Sequence, residues 1–578
     1  MMSPDWALPA LEWLRVYNRE TLINDGLAAV IVIIMLIPQS LAYALLAGLP
    51  AEMGLYASIL PLIAYALFGS SRTLSVGPVA VASLMTASAV GSVASQGVVD
   101  YASAATLLAL LGGLMLIVMG LMRFGFVSHF LSLPVVSGFI TASAIIIALG
   151  QLGSLLGVAL KGATLPSLGR DLFTQMMDAH GLTVAIGVGS VGFLLLARYR
   201  LSDWLSVIGM RGRPSELIIR SAPVLVMAVL IPLSAAMSFE AAGVPLVGHI
   251  PSGLPAFSAP HISWSLVQEL ALPAFLIALI GFIESVSVGK TLGAKRRQRI
   301  DPDQELIGLG AANAAAAISG GFPVTGSFSR SVVNFDAGAE TQMASVLAAL
   351  GIALAAVFLT PMLYFLPKAV LAATIVVAVI SLIDFKTIAL ARRYRAADFW
   401  AIVITITVTL LAGVEVGVLA GVGASVGLHL YHTSRPHFAV VGQVPGSEHY
   451  RNVDRHDVVT DPHILSMRID ESLYFANAAY LEDLVFAQVA LREDLTHVIL
   501  MCPAVNAIDL SALEALEEVN TRLRENDVAL HLSEVKGPVM DALQRSDFLN
   551  HLSGEIFLSH HHAVMALRVR ETAHPALT

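Results

Sequence analysis

Apolar runs long enough to cross a lipid bilayer recur along residues 22–431 of this 578-residue chain. Each crossing needs roughly 20 residues, because an α-helix rises about 1.5 Å per residue through hydrocarbon about 30 Å thick. Hydrophobic residues make up 56% of the sequence and charged residues only 13%, which excludes a soluble protein of average composition. We therefore predict a polytopic α-helical membrane protein with about 14 spans.

The distribution of Lys and Arg predicts the orientation of these spans. Basic residues cluster within 198–220, 295–299 and 386–395, whereas residues 221–289 contain neither Lys nor Arg. Cytoplasmic loops are enriched in both residue types, so the three clusters are expected inside the cell. The first 24 residues lack the basic start and cleavage site of a signal peptide. We expect both termini to be cytoplasmic and the protein to lie in the inner (plasma) membrane.

The composition changes after residue 436, where charged residues become regular and no later stretch could span a bilayer. Strand-like segments at 464–469 and 496–502 alternate with the amphipathic stretches "AAYLEDLVFAQVAL" and "LSALEALEEVNTRLREN", a pattern typical of an open α/β sheet covered by helices. We divide the chain into a cytoplasmic segment 1–20, a transmembrane domain 21–433, a linker 434–446, an α/β domain 447–572 and a tail 573–578.

Enzymatic and nucleic-acid-binding functions find no support in the sequence. The α/β domain contains no GxGxxG or Walker-type loop, and the chain, with a net charge of −9, has no basic stripe. The triplet "HHH" at 560–562 is interpreted as a solvated helix start, because consecutive helical side chains diverge and cannot share a metal ion. We expect no cofactor, no metal site and no nucleic-acid partner.

Two spans are interrupted by turn-forming residues. In "SSRTLSVGPVAVASLMTASAV" (70–90) a helix is expected to restart at Val79 and Ala80, and in "GGFPVTGSFSRSVVNF" (320–335) at Ser327, Phe328 and Ser329. A half-helix that begins inside the membrane directs unpaired N–H groups and its positive dipole end toward its start, which favours an anion. The alternative is that these breaks serve only close helix packing.

Arg330 follows the second break, and Glu284 lies inside another span, in "ALIGFIESVSVGK". A charge at this depth is costly, so Arg330 is expected to have a partner or a ligand. Loss of water favours the neutral form of a carboxyl, whereas a nearby cation favours the ionised form. Glu284 is therefore a candidate proton carrier. The alternatives are a permanent structural ion pair with Arg330 and a sodium ligand.

In the first span, "IPQSLAYALLAGLP" places Gln39 and Tyr43 four residues apart on one helical face. Both side chains can donate hydrogen bonds to an oxyanion, although a polar face can also serve only to contact a neighbouring helix.

Taken in order, these motifs resemble the SulP family of sulfate permeases and related anion transporters over almost the whole chain. They include "DGLAAVIVIIMLIPQSLAYALLAGLP", "GFIESVSVGKTLGAKRRQRIDPDQELIGLGAANAAAAISGGFPVTGSFSRSVVN" and a STAS-like tail. The resemblance implies 14 spans as two inverted repeats of seven, a core domain that moves against a gate domain, and a homodimer. It also implies an anion site between the helix starts at Val79 and Ser329, with Arg330 behind it and Gln39 and Tyr43 beside it.

Glu284 matches the position at which proton-coupled sulfate members of the family carry the coupling acid. The resemblance thus implies a secondary transporter of sulfate or a similar oxyanion, driven by protons. The alternatives are a sodium-coupled bicarbonate or dicarboxylate transporter of the same fold, an anion channel, and an anion-responsive scaffold whose STAS domain recruits a cytoplasmic partner.

The tail departs from the STAS domains that are phosphorylated on the first serine of an Asp-Ser-Ser-Gly loop. Here Leu510 follows Asp509, so phosphorylation at that position is excluded. Ser511 is expected to cap the helix that begins there.

Overall fold

The computed structural model describes residues 8–573 apart from 16, 95–99, 130–132, 161, 163, 208–217, 220, 258 and 261. Parts of the N-terminal segment, of the basic stretch 198–220 and of the tail 573–578 therefore lie outside the described residues. The chain forms two compact units, Met1–Ser425 and Val426–Thr578.

Helices dominate the chain before the C-terminal sheet. In chain order they are α1 (Pro9–Arg15), α2 (Arg19–Leu46), α3 (Ala51–Tyr56), α4 (Leu60–Phe68), α5 (Ala80–Ala94), α6 (Tyr101–Leu121), α7 (Leu133–Leu156), α8 (Leu165–Gln175), α9 (Gly181–Val207), α10 (Ala222–Ala236), α11 (Trp264–Lys295), α12 (Pro302–Ile318), α13 (Phe328–Asp336), α14 (Met343–Phe358), α15 (Thr360–Leu363), α16 (Lys368–Ile380), α17 (Phe385–Tyr394), α18 (Ala396–Ala412) and α19 (Val414–Ser434). Two short 3₁₀ helices, Phe124–His129 and Met176–Asp178, follow α6 and α8.

Within the described residues, eight helical segments are long and apolar enough to cross a membrane, and four shorter apolar helices accompany them. The number reaches fourteen when α12, of 17 residues, and α13, the nine-residue helix after the second break, are counted with these twelve. This agrees with the number that the sequence predicts. The protein is a multi-pass α-helical membrane protein.

The third and tenth of these segments are broken, as predicted. Each begins with a two-residue strand, β1 (Val76–Gly77) before α5 and β2 (Thr325–Gly326) before α13. The two strands pair antiparallel, with Val76 opposite Gly326 and Gly77 opposite Thr325. The antiparallel pairing places the starts of α5 and α13 beside each other, in opposite chain directions.

Two large groups of buried apolar side chains fill this unit. One is built mainly from α5, α6, α11 and α12, and its members include Met85, Leu107, Phe282 and Leu309. The other is built mainly from α2, α9, α14 and α16, and it includes Leu36, Leu194, Ile352 and Val370. These two groups form separate cores, and buried residues of α2 contribute to both.

The C-terminal unit is an open α/β sheet, which confirms the predicted fold class. Its strands are β3 (Phe438–Gln443), β4 (Tyr450–Asn452), β5 (Ile464–Ile469), β6 (His497–Met501), β7 (Ala529–Ser533) and β8 (Ile556–Phe557). The order across the sheet is β4-β3-β5-β6-β7-β8. Strands β5 to β8 are parallel to one another, and β3 pairs antiparallel with both β4 and β5. Strand β3 falls within the segment 434–446 that the sequence assigned to a linker.

Helices cover both faces of this sheet. They are α20 (Ala478–Val489), α21 (Leu510–Glu525), α22 (Gly537–Leu543), α23 (Phe548–His551) and α24 (His560–Ala573). Leu481 of α20 and Leu516 of α21 belong to the core on one face, and Leu567 of α24 belongs to the core on the other. Burying apolar surface on both faces gives the parallel strands the coverage that they require.

Two local predictions in this unit are wrong. Asp509, not Ser511, caps α21: its carboxylate accepts hydrogen bonds from the backbone N–H groups of Ala512 at 2.9 Å and Phe475 at 2.8 Å. His560 at the start of α24 is only 1% exposed, and its Nδ1 lies 2.8 Å from the Ser533 hydroxyl. This histidine packs against the sheet because the face of α24 that carries it is covered by Tyr450.

Candidate functional site

The two broken helices meet where their strands pair, and side chains of α13 reach across to the first half of the chain. The Ser327 N–H donates to the carbonyl of Ser75 at 2.9 Å. The Ser331 hydroxyl accepts from the Ser75 N–H at 2.8 Å. These bonds extend the two-residue ladder on one side and hold the start of α13 against the segment that leads into α5.

Arg330 is the largest fully buried side chain at this junction, with 0% exposure. Its Nη1 donates to the carbonyl oxygen of Pro78 at 2.8 Å, directly before α5, and lies 3.4 Å from Oε1 of Gln39 on α2. The arginine of one broken helix therefore lies beside the start of the other. A Cβ atom on Gly77 would come within 3.2 Å of Nη2, so this position leaves little room for a side chain.

The guanidinium group of Arg330 is incompletely paired. In the part of the chain that the structure describes, its Nε and Nη2 atoms are buried and have no hydrogen-bond partner. No carboxylate among the described residues lies within the 4.0 Å ion-pair distance of Arg330. Buried donors that remain unpaired cost about 1–3 kcal/mol each, and more when charged. A ligand with several acceptor oxygens would satisfy them.

Gln39 and Tyr43 lie on the same side of α2, as predicted from their spacing. Gln39 contacts Arg330 directly. Tyr43 is 8% exposed, and its phenol lies close enough to Arg330 and Glu284 to interact electrostatically with both. The polar face of α2 therefore faces the junction and not merely a neighbouring apolar helix.

The helix starts themselves are placed as the sequence predicts. The first intrahelical bond of α5 runs from the Ser83 N–H to the Val79 carbonyl at 2.9 Å, so Val79 caps a helix that begins at Ala80. Ser327 caps α13, and its hydroxyl accepts from the Arg330 N–H at 3.5 Å. Val79, Ala80 and Ser327 are buried.

Phe328 and Ser329 differ from the other predicted site residues because their side chains are exposed. Only their backbone N–H groups, in the first turn of α13, belong with the positive end of that helix. Their side chains are thus accessible to solvent, whereas that of Arg330 in the same turn is fully buried.

Glu284 lies in the middle of α11 and is half-buried. It lines a small apolar cavity with Phe139 and Ile140 of α7 and Val418 of α19. Glu284 interacts electrostatically with Arg330, yet the two side chains do not form an ion pair. The structure thus does not contain the permanent structural pair that was one alternative for these residues.

Several polar residues that sequence reasoning missed support the junction. The Ser285 hydroxyl, next to Glu284, accepts from the Gly326 N–H at 2.9 Å and lies 2.9 Å from the Thr325 hydroxyl. Asn313 of α12 accepts from the Val324 N–H at 2.9 Å and donates to the Val324 carbonyl at 2.8 Å. Asn313 was detectable as the one polar residue within "GAANAAAAI".

Glu305 of α12 was also missed. Its buried carboxylate accepts hydrogen bonds from the backbone N–H groups of Ser70 and Ser71, both at 2.9 Å, from the Ser70 hydroxyl at 2.7 Å and from the Tyr65 hydroxyl at 2.8 Å. This carboxylate holds the start of the segment that leads into β1. Among the described residues no group of three or more His, Cys, Asp or Glu side chains could hold a metal ion.

Comparison with known proteins identifies the family to which this chain belongs. Residues 22–405 match the profile of the sulfate permease family, which covers more than half of the chain, and residues 455–563 match that of the STAS domain. The chain belongs to the sulfate permease family. Members of this family are transporters and not enzymes.

Two relatives of this sulfate permease family member extend over nearly its whole length. Sulfate transporter 4.1 of Arabidopsis thaliana is 34% identical over 579 residues, which cover 96% of this chain and 82% of the relative. A probable sulfate transporter of Mycobacterium tuberculosis is 33% identical over 578 residues, which cover 99% of each chain.

Solved structures show that the fold is shared. The structure of SLC26A9 superposes with a TM-score of 0.88 at 24% identity, over 98% of this chain and 93% of that one. The transmembrane domain of the cyanobacterial bicarbonate transporter BicA superposes with a TM-score of 0.59 at 20% identity, over 71% of this chain and 99% of that one. The sulfate permease family member described above therefore has the SLC26 fold with a C-terminal STAS domain.

Proposed function

We propose that this chain is a secondary active transporter that carries sulfate, or a similar small oxyanion, by proton-coupled symport. The observation that carries the proposal is Arg330, a fully buried guanidinium group with two unpartnered nitrogens and no carboxylate at ion-pair distance in the described residues. An oxyanion carries several acceptor oxygens close together, so it can accept hydrogen bonds from Nε and Nη2 of Arg330 at once. The two named relatives, both called sulfate transporters, support sulfate over other oxyanions.

In this proposal the anion lies between the starts of α5 and α13. Val79 and Ala80 on one side, and Ser327, Phe328 and Ser329 on the other, supply backbone N–H groups and the positive ends of two helices. Arg330 supplies the full charge, and Gln39 and Tyr43 supply donors from α2. Two half-helices that meet near the middle of a membrane protein are the arrangement expected of a transporter's substrate site.

Glu284 is the proposed proton-binding residue. It lies close enough to Arg330 for the charge of the occupied site to influence it, and it faces an apolar cavity between α11, α7 and α19. Moving a charge against the membrane potential costs about 2.3 kcal/mol per 100 mV, so import of a divalent anion into a negative-inside cell needs at least two cations for neutrality. Glu284 accounts for one of the two protons.

Alternating access would follow from relative movement of the two apolar cores, with α2 between them. We place the protein in the inner (plasma) membrane as a homodimer with both termini in the cytoplasm, where the STAS domain can contact a cytoplasmic partner. In this proposal residues 21–433 form the transport domain and residues 447–572 form the STAS domain.

The test is uptake of labelled sulfate into proteoliposomes that contain the purified protein, with an imposed inward proton gradient, an inward sodium gradient, or neither. Accumulation driven by protons and competed by selenate is the expected result. Accumulation driven by sodium would overturn the assignment of the coupling ion, and uptake of labelled bicarbonate or dicarboxylate in the absence of sulfate uptake would overturn the assignment of the cargo. A sulfate flux that is independent of both the proton gradient and the sodium gradient would indicate a channel.

A further inference from the structure

The connection between α13 and α14, residues 337–342, forms hydrogen bonds with the start of α2. Asp25 of α2 is fully buried, and its Oδ1 accepts from the backbone N–H groups of Glu340 at 2.7 Å and Thr341 at 3.1 Å. Its Oδ2 accepts from the Thr341 hydroxyl at 2.5 Å. In return, the Glu340 carboxylate accepts from the Thr21 hydroxyl at 3.0 Å and the Asn24 amide at 2.7 Å.

The same connection is bonded to two further elements. The Gln342 amide donates to the carbonyls of Ser71 at 2.7 Å and Leu74 at 2.9 Å, immediately before β1. Arg296, at the end of α11, donates to the carbonyl of Ala339 and, at 3.3 Å, to that of Phe335. Its guanidinium carbon lies 4.4 Å from the centre of the Phe335 ring.

Four elements that carry a proposed site residue, or lead into one, therefore meet at this connection. Gln39 lies on α2, Val79 follows β1, Glu284 lies on α11 and Arg330 lies on α13, which leads directly into residues 337–342. Asp25 precedes Gln39 by 14 residues, a distance of about 21 Å along a helix, so it cannot touch an anion bound beside Arg330.

Buried hydrogen bonds of this kind fix relative position more than they add net stability. Thr341 is 3% exposed and Gln342 is 1% exposed, so their partners cannot be replaced by water without rearrangement. A site that binds through several donors at once depends on their spacing, because displacement by about 1 Å can cost a factor of about 100 in a positioned reaction.

We infer that the 337–342 connection sets the spacing of the four elements around the anion, with Thr341, Asp25 and Arg296 as positioning residues. The inference rests on the anion site proposed above. These residues act on affinity through the geometry of the site and do not contact the cargo.

The test compares Thr341→Val, which keeps the shape and removes the hydroxyl, with Thr341→Ser, which keeps the hydroxyl. Thr374→Val is the matched control, since Thr374 is also buried and, among the described residues, its hydroxyl bonds only to the Val370 carbonyl of its own helix. We expect Thr341→Val to raise the KM for sulfate by about tenfold, with the maximal rate changed much less. Thr341→Ser and Thr374→Val are expected to stay within about twofold of the wild type.

A second pair of variants tests the same inference by substitutions at exposed positions, which are less able to disturb folding. Arg296→Ala removes the bonds to the connection from an exposed position, and Arg297→Ala is its neighbour and control. Only the first should raise the KM. A KM unchanged in both Arg296→Ala and Thr341→Val would overturn the inference.

Hydrogen–deuterium exchange separates this inference from the proposed function, because it needs no cargo. Amides of residues 70–77 and 325–336 should exchange faster in Thr341→Val than in Thr374→Val, while strands β5 to β7 stay unchanged as an internal reference. If the wild type takes up no sulfate but this difference appears, the proposed function fails and the positioning role stands. Equal exchange in the two variants would remove the positioning role, whatever the cargo.

Discussion

Arg330 Nη1 lies 2.8 Å from the carbonyl oxygen of Pro78, so the only arginine of one broken helix bonds to the segment that leads into the other. The two residues are 252 positions apart in the chain. This contact uses one nitrogen and leaves Nε and Nη2 buried without a partner in the described residues. The guanidinium group is thus held in place through Nη1 alone, and Nε and Nη2 are available for a ligand.

Replacement of Arg330 should separate binding from stability. Arg330→Met keeps much of the side-chain volume and removes the buried charge, so we expect the thermal midpoint to be equal or higher. Sulfate affinity should fall by at least about tenfold, because hydrogen bonds to a charged group contribute about 1.5–3 kcal/mol. Isothermal titration calorimetry and a thermal melt of the purified protein measure both quantities. Loss of stability together with retained affinity would show that the arginine is structural.

Replacement of Glu284 should uncouple transport from protons. Glu284→Gln keeps the size of the side chain but cannot exchange a proton, so sulfate binding and counterflow are expected to persist while gradient-driven accumulation is lost. Glu269→Gln, on the exposed surface of the same helix, is the control and should accumulate sulfate normally. Proton-driven uptake by Glu284→Gln at the wild-type rate would refute the coupling assignment.

A methyl group at Gly77 should weaken the site without unfolding the protein. Its Cβ would lie 3.2 Å from Arg330 Nη2, and Gly77 has a φ of 155°, which other residues rarely adopt. We expect Gly77→Ala to reduce sulfate affinity by about tenfold, the equivalent of about 1.4 kcal/mol. Gly91→Ala is the control, because its added Cβ would meet nothing within 4 Å. Equal affinities in the two variants would mean that this close approach is unimportant for binding.

The STAS domain should lose stability in acid through His531. Burial and the neighbouring His497 lower the pKa of His531 from 6.5 to about 4. The folded state therefore resists protonation of His531. The contribution of this neutral histidine to the free energy of unfolding is fully present above pH 6.5 and is lost as the pH falls toward 4. The loss at pH 5.5 is roughly 1 kcal/mol.

Amide protection factors of β6 and β7 in the full-length protein, each referred to the intrinsic exchange rate at the same pH, measure this effect. His531→Leu should remove about half of the difference between pH 7.5 and pH 5.5, even if it lowers protection at both values, because burial also lowers the pKa of His560 to about 4. His456→Leu, at an exposed position, should retain the difference. A pH dependence that is undiminished in His531→Leu would assign the effect to another group.

The sequence predicted those features that depend on local chemistry. Pro78 and Pro323 interrupt their spans because proline lacks a backbone donor, and both breaks are found where the sequence places them. The strands at 464–469 and 496–502 follow from alternating and continuous apolar runs, and both are present within a residue. The number of spans follows from the thickness of a bilayer.

Features that depend on contacts between distant segments could not be predicted. Nothing near Arg330 in the sequence indicates the carbonyl of Pro78, and nothing near Ser285 indicates Gly326. The sequence predicts a solvated helix start at His560 because consecutive helical side chains diverge, whereas packing against Tyr450 buries this histidine. Such partners are determined by the tertiary fold, which brings together residues hundreds of positions apart.

The pairing of β1 with β2 has a consequence for how relatives of one architecture can differ in cargo. The two strands join through main-chain atoms, so the separation between the starts of α5 and α13 is a property of peptide geometry and is nearly independent of which side chains occupy these positions. Relatives can therefore differ in the side chains around the two helix starts, and with them in the preferred ion, while the separation between the helix starts stays constant.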